Sequence, residues 1–234
     1  MKHNRVILDK KSPKAVKEYF EKAGTKIVET MTIDSLYLAI SSHPDIQICK
    51  ITDDIFVAAP QVYDYYKETL PDCLILKGES ALNGTYPYDI AYNVAINGKI
   101  AFHTKKYTDP VIRKICEENA ITIFDVKQGY SRCNVAFIQG GIITSDSSIY
   151  RVANENGIDV LKIENDPAIL LETFPYGFIG GASGMIDEKT WAICGDIHCH
   201  KNCKEILTFC EKHKTSIKCL YDGHISDIGS ILYF

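Results

Sequence analysis

Three small constellations in this 234-residue chain carry residue types that can do chemistry. His43–Pro44–Asp45 sets an imidazole and a carboxylate two residues apart where an apolar run begins, and a capped turn at a strand start uses the same residues. Cys133 follows Arg132, and a guanidinium beside a thiol favours a reactive thiolate where the two side chains face each other. The apolar run from Cys133 reads as a strand, however. Adjacent strand residues point to opposite faces, which makes a buried structural cysteine the simpler reading. His198, Cys199, His200 and Cys203 have the chemistry of metal ligands. Four ligands so close in sequence do not readily surround one tetrahedral ion, and no Cys-x-x-Cys pair accompanies them, so no metal site is expected. The glycine-rich stretch 180–184 lacks Gly-x-Gly-x-x-Gly and leads into a strand, whereas a phosphate cradle needs a helix N-terminus. A Gly-x-Ser-x-Gly elbow is absent as well. No cofactor is expected.

These residues sit on a repeating frame. A unit of strand, turn, strand, helix and strand recurs about every 45 residues. Its clearest copy has strands over 90–96 and 99–103 joined by Asn97–Gly98, the strongest short hairpin signal. Asp109–Pro110 then opens a helix, with Asp as N-cap and Pro at the first helical position, and a third strand follows over 121–126. The next copy has strands over 133–138, 142–144 and 158–163, with a helix over 147–156 ended by Gly157. Another has strands over 182–186, 190–194 and 216–220, with a helix over 203–213 that Asn202 and Glu205 begin at capping-box spacing. Earlier, strands over 46–51, 55–58 and 73–76 flank a helix over 61–69. The N-terminus supplies a strand over 5–8, a helix opened by Ser12–Pro13 and ended by Gly24, and a strand over 26–30. That unit lacks only its first strand. Residues 230–234 form a strand with no local partner. Pairing it with 5–8 completes a fifth unit and closes a ring that would otherwise expose two edges. The repeats then run 224–234 with 1–40, 41–80, 81–128, 129–175 and 176–223 of a single domain. Thr85–Tyr86–Pro87–Tyr88 echoes Thr173–Phe174–Pro175–Tyr176, and Asn93–Val94–Ala95 echoes Asn134–Val135–Ala136, in step with the period.

Five ββαβ units in a closed ring resemble the pentein fold, the five-bladed, pseudo-fivefold α/β propeller of the guanidino-group-modifying enzymes. The segments 134–146 and 174–184 are similar to those of small bacterial proteins grouped near that superfamily. The resemblance implies a ligand site at the mouth of the axis, on residues that lead into each unit's first strand: 43–45, 86–93, 130–134, 176–183 and 224–230. Tyr88, Asp89, Asn93, Ser131, Asn134, Ser183, His224 and Asp227 are the implied ligand-binding residues. Asp45, Asp89 and Asp227 would offer anionic partners, and Tyr86, Tyr88, Tyr130 and Tyr176 would stack on a flat cation. The same residue types also build turns. His43–Pro44–Asp45 resembles the His-x-Asp motif of the guanidino hydrolases, in which the histidine is general acid/base and the carboxylate grips the guanidinium. Those enzymes attack with a cysteine thiolate that follows a glycine-rich stretch near the C-terminus. Here the tail reads Ile228–Gly229–Ser230–Ile231–Leu232, without one. Three readings follow. One is a protein that binds a small guanidino or amidino ligand at the axis without the familiar hydrolysis. Another is a non-catalytic protein-interaction module resembling the ribosome anti-association factors. The last is a guanidino-group hydrolase using Cys133 with His43 and Asp45.

Composition narrows the setting. The chain is 46% apolar and 24% charged with a net charge of −4, ordinary for a globular domain. Its longest basic runs are pairs such as Lys105–Lys106, without the clustered excess of a nucleic-acid binder. No stretch approaches the roughly 18 apolar residues of a membrane span, and residues 1–11 lack the apolar centre of a signal peptide. Nine scattered cysteines, an odd count, fit a reducing compartment, so a cytoplasmic protein is expected.

Overall fold

Five three-stranded sheets of one topology, with one two-stranded sheet beside them, make up the computed structural model, which describes residues 4–234. Residues 1–3, at the basic start of the chain, lie outside the described residues. The first stretch holds β1 (Arg5–Leu8), α1 (Lys14–Lys22) and β2 (Lys26–Glu29). Next come α2 (Pro44–Gln47), β3 (Ile48–Lys50), β4 (Ile55–Ala58), α3 (Tyr63–Thr69) and β5 (Leu74–Lys77). The third holds β6 (Ala95–Asn97), β7 (Ile100–His103), α4 (Pro110–Glu118) and β8 (Thr122–Asp125). The fourth holds α5 (Ser131–Asn134), β9 (Val135–Ile138), β10 (Gly141–Thr144), α6 (Ser147–Glu155) and β11 (Val160–Lys162). After β12 (Ile169–Leu170) come β13 (Ser183–Met185), β14 (Thr190–Ile193), α7 (Cys203–Lys212) and β15 (Ser216–Cys219), and finally β16 (Ile225–Ser226) and β17 (Leu232–Tyr233).

In four sheets the middle strand pairs antiparallel with the strand before it, across a hairpin, and parallel with the strand after it, across a helical crossover. The remaining sheet reaches the same arrangement with strands from both ends of the chain. There β1 pairs parallel with β2 and antiparallel with β17, in the register Val6↔Tyr233 and Ile7↔Leu232. Arg5 and Phe234 exchange backbone hydrogen bonds of 2.9 Å in both directions. Each sheet is open; among the described residues none closes on itself.

Local chemistry accounts for the element ends. Asp109 caps α4 by accepting from the Val111 N–H at 2.9 Å, and Asp146 caps α6 by accepting from Ser148 and Ile149. Gly98 turns the β6–β7 hairpin at φ 59°, a left-handed conformation that glycine adopts without steric cost. Two expectations need correction. The runs expected as strands over 46–51 and 133–138 begin as single helical turns, α2 and α5, and only the last two residues of 90–96 belong to a strand. A short apolar run does not distinguish these states by periodicity. Asn202 also makes no side-chain cap to α7; its Oδ1 accepts instead from the Glu164 N–H at 3.0 Å, tying that helix start to the preceding loop.

The apolar cores lie between sheets. One cluster joins Ile7 and Val28 to Phe56 and Val57 and on to Ala101 and Ile112, so it spans the first three stretches. A second joins Phe102 to Val135 and Phe137. A third joins Ile143 to Trp191 and Phe209. A fourth joins Ala192 and Cys194 back to Val6, Leu8 and Phe20. Each sheet therefore shares a core with the next in sequence, and the fifth shares one with the first.

Candidate functional site

The segments that precede the first strands meet in a buried polar layer. The α2 turn carries Asp45, whose N–H donates to the Gly229 carbonyl at 3.1 Å. The α5 turn carries Cys133, whose thiol donates to Asp45 Oδ2 at 3.1 Å. Ser230, just before β17, places its hydroxyl 2.6 Å from the same oxygen and 3.0 Å from the Gly180 carbonyl. Asn93 completes the layer. Its amide donates to the Asp45 carbonyl and to Cys133 Sγ, while its Oδ1 accepts from the N–H groups of Arg132 and Cys133. Cys133 and Arg132 thus lie on a helical turn rather than on the strand expected from sequence, and the strand argument that set their side chains on opposite faces does not apply.

Glycines allow this crowding. A Cβ on Gly181 would fall 2.2 Å from Asp227 Oδ1, and one on Gly229 would fall 2.3 Å from His43 Cβ. The 180–184 stretch therefore serves close packing around the layer. Ser230 sits at φ 78°, a left-handed conformation costly for a residue with a side chain and seen where surrounding structure enforces it.

A cavity of about 190 Å³ opens on one side of this layer. His43, Cys133 and Asp227 contribute its polar groups, and Tyr37, Tyr130, Tyr176, Phe174 and Phe178 are among its walls. Asp227 is held by the short parallel pairing of β16 with β12: its N–H donates to the Leu170 carbonyl, and its carboxylate accepts from the N–H groups of Phe178 and Gly229. Burial, reinforced by the charge of Asp45, raises the Asp227 pKa to about 7. Burial pushes His43 the other way, down to about 4, so its imidazole is neutral near pH 7. The Cys133 thiol is pushed well above its usual range by burial and by the Asp45 charge. His43 Nδ1 and Asp45 Oδ1 are buried with no hydrogen-bond partner among the described residues. A second cavity, of about 330 Å³, is bordered by Asp45 and Arg132. The Cys133–Asp45 hydrogen bond thus lies between the two.

The other sequence candidates separate into three groups. Asp89 is buried and accepts from the hydroxyl of Tyr130, a residue of the smaller cavity's wall, at 2.5 Å; burial raises its pKa against the lowering effect of that bond. Ser131, Asn134 and Ser183 spend their polar groups locally: Ser131 on the Gln128 carbonyl, Asn134 on the hydroxyls of Thr144 and Ser145, and Ser183 on the Ile179 carbonyl. Tyr88 and His224 are exposed and border neither cavity. Sequence reasoning missed Tyr37, in a loop between units, and Ser230. A Gly–Ser pair immediately before the terminal strand was the available signal for Ser230.

A family model described as a family of unknown function (DUF6873) matches residues 7–232. The chain belongs to this family. No curated protein matches it. Among solved structures, SxtG, an amidinotransferase from Microseira wollei in the saxitoxin biosynthetic pathway, superposes with a TM-score of 0.55 at 11% identity, over 92% of this chain and 87% of that one. A dimethylarginine dimethylaminohydrolase from Pseudomonas aeruginosa, a cysteine-to-serine mutant complexed with citrulline, gives 0.56 at 6% identity over 96% and 93%. An agmatine deiminase from C. jejuni, again a cysteine-to-serine mutant and with substrate bound, gives 0.53 at 11% identity over 94% and 88%. The fold of this DUF6873 member is that of the pentein superfamily. Among the described residues, no helix is long and apolar enough to cross a membrane.

Proposed function

We propose that the chain is a single pentein-like domain, its five sheets the blades of a pseudo-fivefold propeller, that binds a small guanidino or amidino cation at the axis mouth without hydrolysing it. The cores shared between successive sheets, and between the fifth and the first, support the ring, as does the β1–β17 pairing. Asp227 carries the binding reading. It is a buried carboxylate on an aromatic-walled cavity, with no cation paired to it among the described residues, and burial has raised it close to neutrality. A flat cation there would donate charge-assisted hydrogen bonds to Asp227 and lie against the rings of Tyr37, Tyr130, Tyr176 and Phe178. The cavity volume of about 190 Å³ suits a guanidinium head group rather than a large ligand.

The same surroundings argue against hydrolysis. The tail offers Ser230, whose hydroxyl is engaged by Asp45 and the Gly180 carbonyl. Cys133 is the one cysteine at the cavity, and burial keeps it a thiol, whereas the attacking species is the thiolate. Binding without turnover has a parallel in the Pseudomonas and C. jejuni structures, whose cysteine-to-serine forms hold citrulline and substrate. One observation favours a second reading, a protein-interaction surface. Leu38, Tyr86, Tyr88, Leu170 and Phe174 are large apolar side chains left exposed, Phe174 at the cavity itself, and a partner would cover such surface.

Calorimetric titration and thermal unfolding with agmatine, arginine, creatine and benzamidine test the proposal, with ammonia and urea release assayed in parallel. At least one compound should bind saturably. At a hundredfold excess over Kd it should stabilise the fold by about 2.7 kcal/mol, or several degrees in Tm. Asp227→Asn should reduce affinity at least tenfold, and no product should form. Absence of any shift across the set sinks the binding reading and leaves the interaction surface; turnover sinks the non-catalytic one.

A further inference from the structure

The larger cavity has no part in the function proposed above. Its walls come from the first strand of every sheet, with Ile48, Ile96, Phe137, Met185 and Leu232 supplying the apolar part of a surface that is as polar as it is apolar. Four charged side chains border it: Arg132 and Asp45 where the strands begin, and Lys50 and Asp53 where they turn. Lys50 is engaged, donating to the Tyr233 carbonyl and pairing with Asp53 at 2.7 Å. Asp45 Oδ2 is engaged by Ser230 and Cys133. Arg132 is different. Its Nη1 donates to the Val135 and Gly180 carbonyls at 3.1 and 3.4 Å, and among the described residues no carboxylate stands in ion-pair contact with it. A guanidinium has five N–H donors. The donors on Nη2 and Nε have no acceptor among the described residues.

We propose that this second cavity binds a small monocarboxylate with a short, branched apolar body, held by Arg132. A planar guanidinium fork matches a carboxylate through two parallel hydrogen bonds, a geometry a point-like ammonium does not reproduce. The apolar strand residues give the body of such a ligand a wall to lie against. Charge selects against phosphate. Lys50 is taken up by Asp53 and the Tyr233 carbonyl, so Arg132 alone has donors to offer; they match one carboxylate, while the second charge of a phosphate dianion would face Asp45 and Asp53 without a partner. The ligand approaches from the hairpin side, where Asn97, Gly98 and Asp53 edge the opening. The site is separate from the guanidinium site in place, and its ligand is opposite in charge.

The full chain titrated calorimetrically with isovalerate, isovaleramide and inorganic phosphate tests this. Isovalerate should bind saturably, with isovaleramide, of the same shape but uncharged, and phosphate each at least tenfold weaker. Arg132→Met should abolish the binding. Because that change also removes backbone hydrogen bonds, Ile96→Phe provides a second variant. It narrows the cavity, leaves Arg132 in place and should lower affinity at least tenfold. Millimolar agmatine should not compete, so failure of either proposal leaves the other standing. Equal binding of isovaleramide, competition by agmatine, unchanged affinity in Ile96→Phe, or no binding of isovalerate overturns the proposal.

Discussion

Asp227 and His43 have opposite proton chemistry within one cavity, and that makes them separable by pH. A cation binds the ionised form of Asp227. With the carboxylate raised to about 7 by burial, guanidinium affinity should climb about tenfold per pH unit up to about pH 7 and flatten above it. A flat profile from pH 5 to 8 would remove Asp227 from the site. Stability follows from the same shift. Unfolded, this aspartate loses its proton near 3.8, whereas the native one keeps it to about 7, so ionisation withdraws stability as pH rises between those values. His43 acts in the reverse sense: native protonation is delayed from 6.5 to about 4, and stability is lost as pH falls across that interval. The difference between wild type and Asp227→Asn isolates the first effect. The variant should gain on wild type from pH 4 to 7, by at most about 1.4 kcal/mol per pH unit. Equal pH profiles from urea unfolding would contradict the raised pKa. Cys133 gives a third residue-scale expectation. Iodoacetamide at pH 7 should label exposed Cys199 well before buried Cys133, as read by peptide mass mapping. Labelling at equal rates would return Cys133 to the role of nucleophile.

At the scale of elements, one cap does the work of several contacts. Asp109 accepts from the Val111 N–H, from the N–H groups of Glu79 and Ser80, and from the Tyr92 hydroxyl, so it fixes α4 and the loop before the third unit together. A helix cap alone is worth about 1 kcal/mol. Asp109→Ala, which leaves the loop donors and the tyrosine without their acceptor, should cost roughly 3 kcal/mol in urea unfolding. A cost of 1 kcal/mol or less would mean that the loop bonds contribute nothing. Asp109–Pro110, Asn97–Gly98 and Gly157 were legible in the sequence because each obeys a local rule of cap or turn chemistry. The α2 and α5 turns were not, because Ile46 and Cys133 continue apolar runs that read equally well as strand. That ambiguity mattered for the site. On a strand, Arg132 and Cys133 would face apart; on one helical turn both backbone N–H groups reach Asn93 Oδ1, and each side chain borders one of the two cavities. Asn202 failed as a cap for a different reason: a tertiary partner, the Glu164 N–H, took its oxygen.

For the whole molecule, the decisive segment is the last five residues. Ile231, Leu232 and Phe234 are buried, and the Phe234 ring meets Phe56 edge-on with centroids 4.9 Å apart. Ser230 reaches Asp45, Ile231 donates to the Ser183 carbonyl, and the Tyr233 carbonyl accepts from Lys50. Residues 230–234 therefore touch two other sheets and the α2 turn, besides supplying the third strand of their own sheet. Burying three such side chains is worth about 1.5–3 kcal/mol each, and a domain holds only about 5–15 kcal/mol in all. Their removal also strips β1 of its antiparallel partner and exposes an apolar strand edge. Truncation after Gly229 should abolish the cooperative unfolding transition and near-ultraviolet dichroism rather than lower Tm by a few degrees. The milder Phe234→Ala should keep the fold while costing about 3–5 kcal/mol. If the truncated chain unfolds cooperatively near the wild-type midpoint, β17 is an appendage. The five sheets would then hold together without it, and the proposed ring would lose the strand that joins its two ends.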